Sequence, residues 1–74
     1  IILERKYVQQ WKNIMDSTIW QMKTYGSDIN MYGATSHIEF FAVISEYFFK
    51  QPELLKTNHT EVYDMLQRIY RTRD

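Results

Sequence analysis

The stretch from Ser36 to Phe49 constrains the fold of this chain most strongly, because a helix start leads directly into a very apolar segment. Ser36 and Glu39 have the spacing of a capping box, in which the serine hydroxyl accepts a hydrogen bond from the third helical N–H and the glutamate bonds back. Pro52 then disfavours helical geometry in the residue before it. The pattern predicts a helix from Ser36 to about Lys50.

Two further helices are predicted on either side of this segment. Apolar residues recur at helical steps from about residue 3 to about residue 23, at Tyr7, Val8, Trp11, Ile14, Met15, Thr18 and Met22. Gly26 should end that helix, with a loop over residues 29–34. A last helix from about residue 60 to about residue 72, with Asn58 as a plausible cap, would bury Val62, Met65, Leu66, Ile69 and Tyr70. The fold class predicted is all-α, with three helices joined by short loops and forming a single unit over residues 1–74.

Composition excludes several classes of function. The chain has 74 residues, no cysteine and a formal net charge of +0, so it has neither thiol chemistry nor the basic surface that nucleic acids and anionic membranes attract. No apolar run approaches the roughly 18 residues that a membrane span needs. With no secretory signal in these residues, the cytoplasm is the expected location.

A longer motif surrounds the capping box and continues almost to the end of the chain. Its members are Tyr32, Thr35, Glu39, Phe40, Phe41, Ala42, Ser45, Glu46, Phe48, Phe49, Pro52, Val62, Tyr63, Ile69, Tyr70 and Arg71. This pattern resembles the C-terminal part of the zinc peptidases related to the Mlc titration factor, and it is distantly similar to the catalytic domain of anthrax lethal factor. The resemblance is strongest over residues 32–73.

This resemblance implies a zincin-like metallopeptidase domain that hydrolyses peptide bonds. In such enzymes a His-Glu-x-x-His helix supplies two zinc ligands and the general base. The resemblance makes Glu39 the third zinc ligand and Tyr32, seven residues earlier, the side chain that stabilises the oxyanion. It also implies a peptide substrate and permits a transcriptional repressor as a partner.

One departure from the family pattern limits what this chain can do alone. Its two histidines, His37 and His59, stand singly, and no His-Glu-x-x-His occurs. The chain also begins with Ile1 rather than methionine, which favours a C-terminal piece of a longer protein. Because catalytic zinc takes three protein ligands, we expect these residues alone to bind zinc poorly and to be inactive.

Each assignment has a purely structural alternative. From spacing alone Glu39 is a capping residue, and Tyr32 is a loop tyrosine at the edge of the core; only the resemblance favours catalysis. Glu46 is either a partner that orients a ligand or a solvated residue, and both histidines are expected to be exposed. The aromatic residues from Phe40 to Phe49 are expected in the core. The alternative function is a non-catalytic helical module that docks a protein partner.

Overall fold

The computed structural model describes residues 5–71, and these form helices without any strand. Their order is α1 (Arg5–Tyr25), a 3₁₀ helix (Met31–Ala34), α2 (His37–Lys50), α3 (Pro52–Asn58) and α4 (Thr60–Tyr70). The all-α prediction is confirmed. The prediction of three helices is wrong by one, since a fourth α-helix lies in the expected turn after α2. The predicted helix limits at residues 3 and 72 lie outside the described residues.

Helix α1 buries one stripe and ends where its glycine allows a tight turn. Trp11, Met15, Thr18 and Met22 are its buried residues. The N–H of Gly26 donates to the carbonyl of Met22 at 3.0 Å, and Gly26 has a φ of +81°. Glycine adopts this left-handed geometry without the steric cost that a Cβ adds, so the chain turns sharply here towards the 3₁₀ helix.

Helix α3 replaces the predicted turn because Pro52 begins a helix as well as ending one. Proline suits the first position of a helix, where its missing N–H needs no partner within the helix. Leu55, one turn later, is fully buried and holds α3 against the core. Asn58 is therefore the last residue of α3. The prediction that Asn58 caps the last helix is wrong, since α4 begins after His59 without a side-chain cap.

The expected loop over residues 29–34 contains the 3₁₀ helix, which packs closely on α2. Ile29 is buried at its start, and the Asn30 side chain accepts from the N–H of Tyr32 at 2.9 Å. A Cβ added at Gly33 would lie 3.2 Å from the Cβ of Val43. The absence of a side chain at Gly33 therefore lets the backbone before α2 approach that helix closely.

The core lies between the four α-helices, with α2 at its centre. Phe40 and Ile44 of α2 are fully buried, and the other buried core residues include Leu55 on α3 and Val62, Met65, Leu66 and Ile69 on α4. An aromatic cluster joins α2 to α4 beside this core. The centroid of the Tyr70 ring lies 4.9–6.1 Å from the ring centroids of Phe41, Phe48 and Phe49. Phe49 is 63% exposed, so the prediction that it belongs to the core is wrong.

Candidate functional site

Glu39 lies in the first turn of α2, where Ser36 caps the helix. The Ser36 hydroxyl accepts from the N–H of Glu39 at 3.1 Å, with Ser36 itself extended. This half of the predicted capping box is confirmed. Glu39 is a half-buried residue, but within the described part of the chain its carboxylate forms no hydrogen bond or ion pair, so the predicted return bond to Ser36 is not formed. Its carboxylate oxygens are therefore available as donors to a metal ion.

Tyr32 lies in the 3₁₀ helix, and its backbone is held on both sides. Asn30 accepts from its N–H, as described above, and the Thr35 hydroxyl donates to its carbonyl at 2.8 Å. The side chain is 60% exposed, and over residues 5–71 its phenol has no hydrogen-bonding partner. The site thus combines a fixed backbone with a phenol that is free to donate.

A complete metal site is absent from the described residues. They contain no group of three or more His, Cys, Asp or Glu side chains that could hold a metal ion. His37, although close to Glu39 in sequence, has its Nε2 2.5 Å from Oδ1 of Asp16 on α1. The carboxylate of Glu39 suits zinc, but it supplies one donor of the three that a catalytic site needs.

A second polar cluster surrounds Asp28, and no local sequence pattern predicts it. Its carboxylate accepts from the Tyr47 hydroxyl and, at 3.0 Å, from the Asn58 amide. Its Oδ1 lies 2.7 Å from Nε2 of His59. The His59 side chain is only 18% exposed. The prediction that both histidines are exposed is therefore wrong: both are half-buried beside an aspartate.

Burial and hydrogen bonding oppose each other at Asp28. Burial disfavours its charged form, but hydrogen bonds from Tyr47, His59 and Asn58, with the nearby His59 charge, outweigh it and lower the pKa of Asp28 well below its ordinary value. Burial, followed by the bond to the Asp28 carboxylate, raises the pKa of the Tyr47 phenol. Asp28 is therefore held as an anion and Tyr47 as a neutral donor.

The family model of the glucose-regulated metallo-peptidases M90 matches residues 1–71 of this chain. The chain belongs to that family. An uncharacterised protein of Synechocystis is 35% identical over 71 residues, covering 89% of this chain and 26% of its own length. Mlc titration factor A of Yersinia pestis is 42% identical over 59 residues, covering 80% of this chain and 22% of its own length. The chain thus spans about a quarter of the length of the curated relatives it matches.

The M90 assignment confirms the resemblance to the Mlc titration factor but not the more distant one. No solved structure matches the chain significantly, so the likeness to lethal factor and the zincin-like architecture stay predictions. Among the described residues no helix has the length and apolar character needed to cross a membrane.

The sequence allows two roles for Glu46, and the contact of its side chain favours the solvated one. Its carboxylate forms an exposed ion pair with Lys50 at 3.0 Å, one turn further along α2. An exposed pair at this spacing contributes little stability. In this M90 family member, Glu46 therefore lies on a solvated face of α2.

Proposed function

We propose that this chain is the C-terminal segment of a zinc metallopeptidase, in which Glu39 is a metal ligand and Tyr32 stabilises the oxyanion. Membership of the M90 family supports the proposal, and so does a half-buried glutamate whose carboxylate has no hydrogen-bonding or ionic partner within residues 5–71. A role in helix capping alone does not explain why the Glu39 carboxylate forms no hydrogen bond. In a capping box the same group bonds back to the cap residue.

The two side chains would divide the work of peptide hydrolysis. Zinc held there would supply Lewis-acid chemistry, lowering the pKa of a water molecule to about 7 and polarising the peptide carbonyl. Glu39 would hold the metal from a rigid helix, so that the donor oxygen keeps its place. The Tyr32 phenol would donate a hydrogen bond to the oxygen that gains negative charge as water attacks. Such a donor acts mainly in the transition state.

The remaining parts of the site must come from residues other than these 74. The sequence contains no His-Glu-x-x-His, and the relatives are about four times as long as the matched segment. We therefore propose that the segment is inactive alone and completes its metal site inside a longer protein. We also propose a peptide substrate, which the family description supports.

A partner and a location accompany this proposal. One relative is named Mlc titration factor A, which says that the Yersinia protein titrates Mlc. We propose a transcriptional repressor as a possible partner here, and the cytoplasm as the place where they would meet. A repressor that binds equally well with zinc chelated and with Glu39 replaced would favour the alternative of a non-catalytic interaction module.

The test compares zinc content and peptide cleavage in the longer protein that the proposal requires. Glu39→Gln should weaken zinc binding by more than about 100-fold. Mutating a residue that only hydrogen-bonds to a metal ligand already lowers metal affinity by about 10- to 100-fold. Glu53→Gln is the matched control, because Glu53 is also a first-turn glutamate and is exposed on α3. Zinc and activity that survive Glu39→Gln would contradict the ligand assignment.

Tyr32→Phe should separate turnover from binding. Removing one oxyanion donor costs about 100- to 1000-fold in kcat, whereas zinc content and KM should change little. Tyr25→Phe provides the control, since Tyr25 is 78% exposed on α1. Equal kinetics for the two variants would show that Tyr32 is an ordinary surface tyrosine.

A further inference from the structure

The cluster around Asp28 lies outside the proposed metal site, yet it joins three parts of the fold. Asp28 stands in the segment between α1 and the 3₁₀ helix. Its partners are Tyr47 on α2, Asn58 at the end of α3 and His59 before α4. One carboxylate therefore fastens a connecting segment to three distant positions in the chain.

We propose that Asp28 is a positioning residue, which fixes the segment that carries Tyr32 against α2 and the α3–α4 junction. The inference rests on the proposed function in one respect only, namely that Tyr32 acts in catalysis. The mechanical part, that Asp28 holds residues 28–33 in place, concerns this chain alone.

The five residues from Asp28 to Tyr32 transmit this constraint, because hydrogen bonds and burial restrain the backbone between them. Ile29, next to Asp28, is 2% exposed, and its N–H donates to the Ser27 hydroxyl at 3.1 Å. Asn30 accepts from Tyr32 through its side chain and from the N–H of Gly33 through its carbonyl, each at 2.9 Å. A shift of Asp28 would therefore move the backbone of Tyr32.

The chain on the N-terminal side of Asp28 provides no equivalent restraint. Gly26 is exposed, and nothing lies within 4 Å of the position where its Cβ would be. The described contacts that hold the segment to distant parts of the chain therefore begin at Asp28 and the neighbouring Ile29. With Asp28 neutral and partly unbonded, only the apolar anchor remains at this point.

A metal-binding role fits the same cluster less well. Asp28 and His59 are its two metal-binding side chains, and no third such group joins them within the described range. The carboxylate already accepts from a hydroxyl, an amide and Ser27, whose hydroxyl lies 3.2 Å away. Its hydrogen bonds favour the charged carboxylate, as its lowered pKa shows. These contacts are those of a satisfied structural anion.

Backbone ¹⁵N order parameters of the 74-residue protein test the mechanical part. Order parameters of about 0.85 mark rigid backbone, and values below about 0.6 mark flexible backbone. In Asp28→Asn we expect the order parameters of residues 28–33 to fall below about 0.6 while those of the four α-helices stay near 0.85. Asp64→Asn is the matched control: it makes the same change of charge at an exposed position on α4, and should change neither region.

Tyr47→Phe keeps the inference testable if Asp28→Asn does not fold. This change removes only the hydroxyl that donates to Asp28, and it leaves the ring beside His59, 6.2 Å away between centroids. We expect a smaller fall in the order parameters over the same residues. Unchanged values in residues 28–33 for a folded Asp28→Asn or, failing that, for Tyr47→Phe overturn the inference.

Kinetics of the longer peptidase test the link to Tyr32. Asp28→Asn should lower kcat by about tenfold or more, because misplacing a catalytic group by about 1 Å costs up to about 100-fold, while zinc content and KM stay unchanged. An unchanged kcat overturns the link. If the longer protein contained no zinc, the proposed function would be wrong. The order parameters would still decide whether Asp28 holds the segment.

Discussion

At the scale of single residues, Asp28 should make the stability of the fold depend on pH. Its pKa is lowered in the folded chain, whereas an unfolded aspartate titrates near pH 3.9. The unfolded chain therefore takes up this proton at a higher pH than the folded one. The stabilisation is complete above about pH 4 and is lost as the pH falls through the folded pKa.

Urea unfolding between pH 7 and pH 2.5 measures this dependence. We expect the urea midpoint to fall steeply below about pH 4, the unfolded pKa of aspartate, and to fall less steeply in Asp28→Asn. Asp64→Asn should keep the steep fall, because it leaves the Asp28 cluster intact. Parallel pH profiles for the three proteins would contradict a special role for Asp28.

Local spacing explains which site residues could be predicted. The cap of Ser36 on Glu39 spans three residues, so a short pattern reveals it. The partners of Asp28 lie 19, 30 and 31 residues away along the chain, and nothing near Asp28 indicates which groups will meet it. Glu39 and Tyr32 were found as candidates by resemblance, and their catalytic roles stay predictions.

At the scale of helices, length and periodicity decided what the sequence could reveal. α1 has 21 residues and α2 has 14, enough for several repeats of an apolar stripe. α3 has seven, too few for a repeat, and Pro52 indicated an end as strongly as a beginning. The burial of Leu55 stabilises α3. That burial depends on contacts with α2 and α4, which the local sequence does not reveal.

Two adjacent leucines on α3 test whether this short helix is part of the core. Leu55 is fully buried, whereas Leu54 is 44% exposed. Leu55→Ala should lower the free energy of unfolding by about 2 to 5 kcal/mol, through lost burial and a residual cavity. Leu54→Ala should lower it by less than about 1 kcal/mol, as is usual away from the core. Equal effects in urea unfolding would mean that α3 is only loosely attached.

At the scale of the whole molecule, the all-α fold could be predicted because every strong apolar pattern has a helical period. The mutual arrangement of the helices could not, since it depends on which aromatic side chains meet. The Tyr70 ring of α4 stacks on the rings of Phe41 and Phe48 of α2, with interplanar angles of 19° and 20°. The radius of gyration is 11.7 Å, close to the roughly 11 Å expected for a compact globule of this length.

A compact segment with one core should unfold as a single cooperative unit, as the prediction of one unit over residues 1–74 requires. Trp11 is 8% exposed and packs 6.2 Å from Phe40 and 6.3 Å from Phe41 between ring centroids, so its fluorescence reports whether α1 is docked on α2. Trp20, the only other tryptophan, is 58% exposed, and Trp20→Phe leaves Trp11 as the sole probe.

In Trp20→Phe, urea should change Trp11 fluorescence and far-ultraviolet circular dichroism at the same midpoint, because small single domains usually unfold in two states. The unmodified protein serves as control and should have nearly the same dichroism midpoint, since exposed Trp20 contributes little to the core. A fluorescence transition at lower urea would mean that α1 undocks before α2–α4 unfold. The family segment would then contain two units, and α1 would depend on the rest of a longer peptidase for its place.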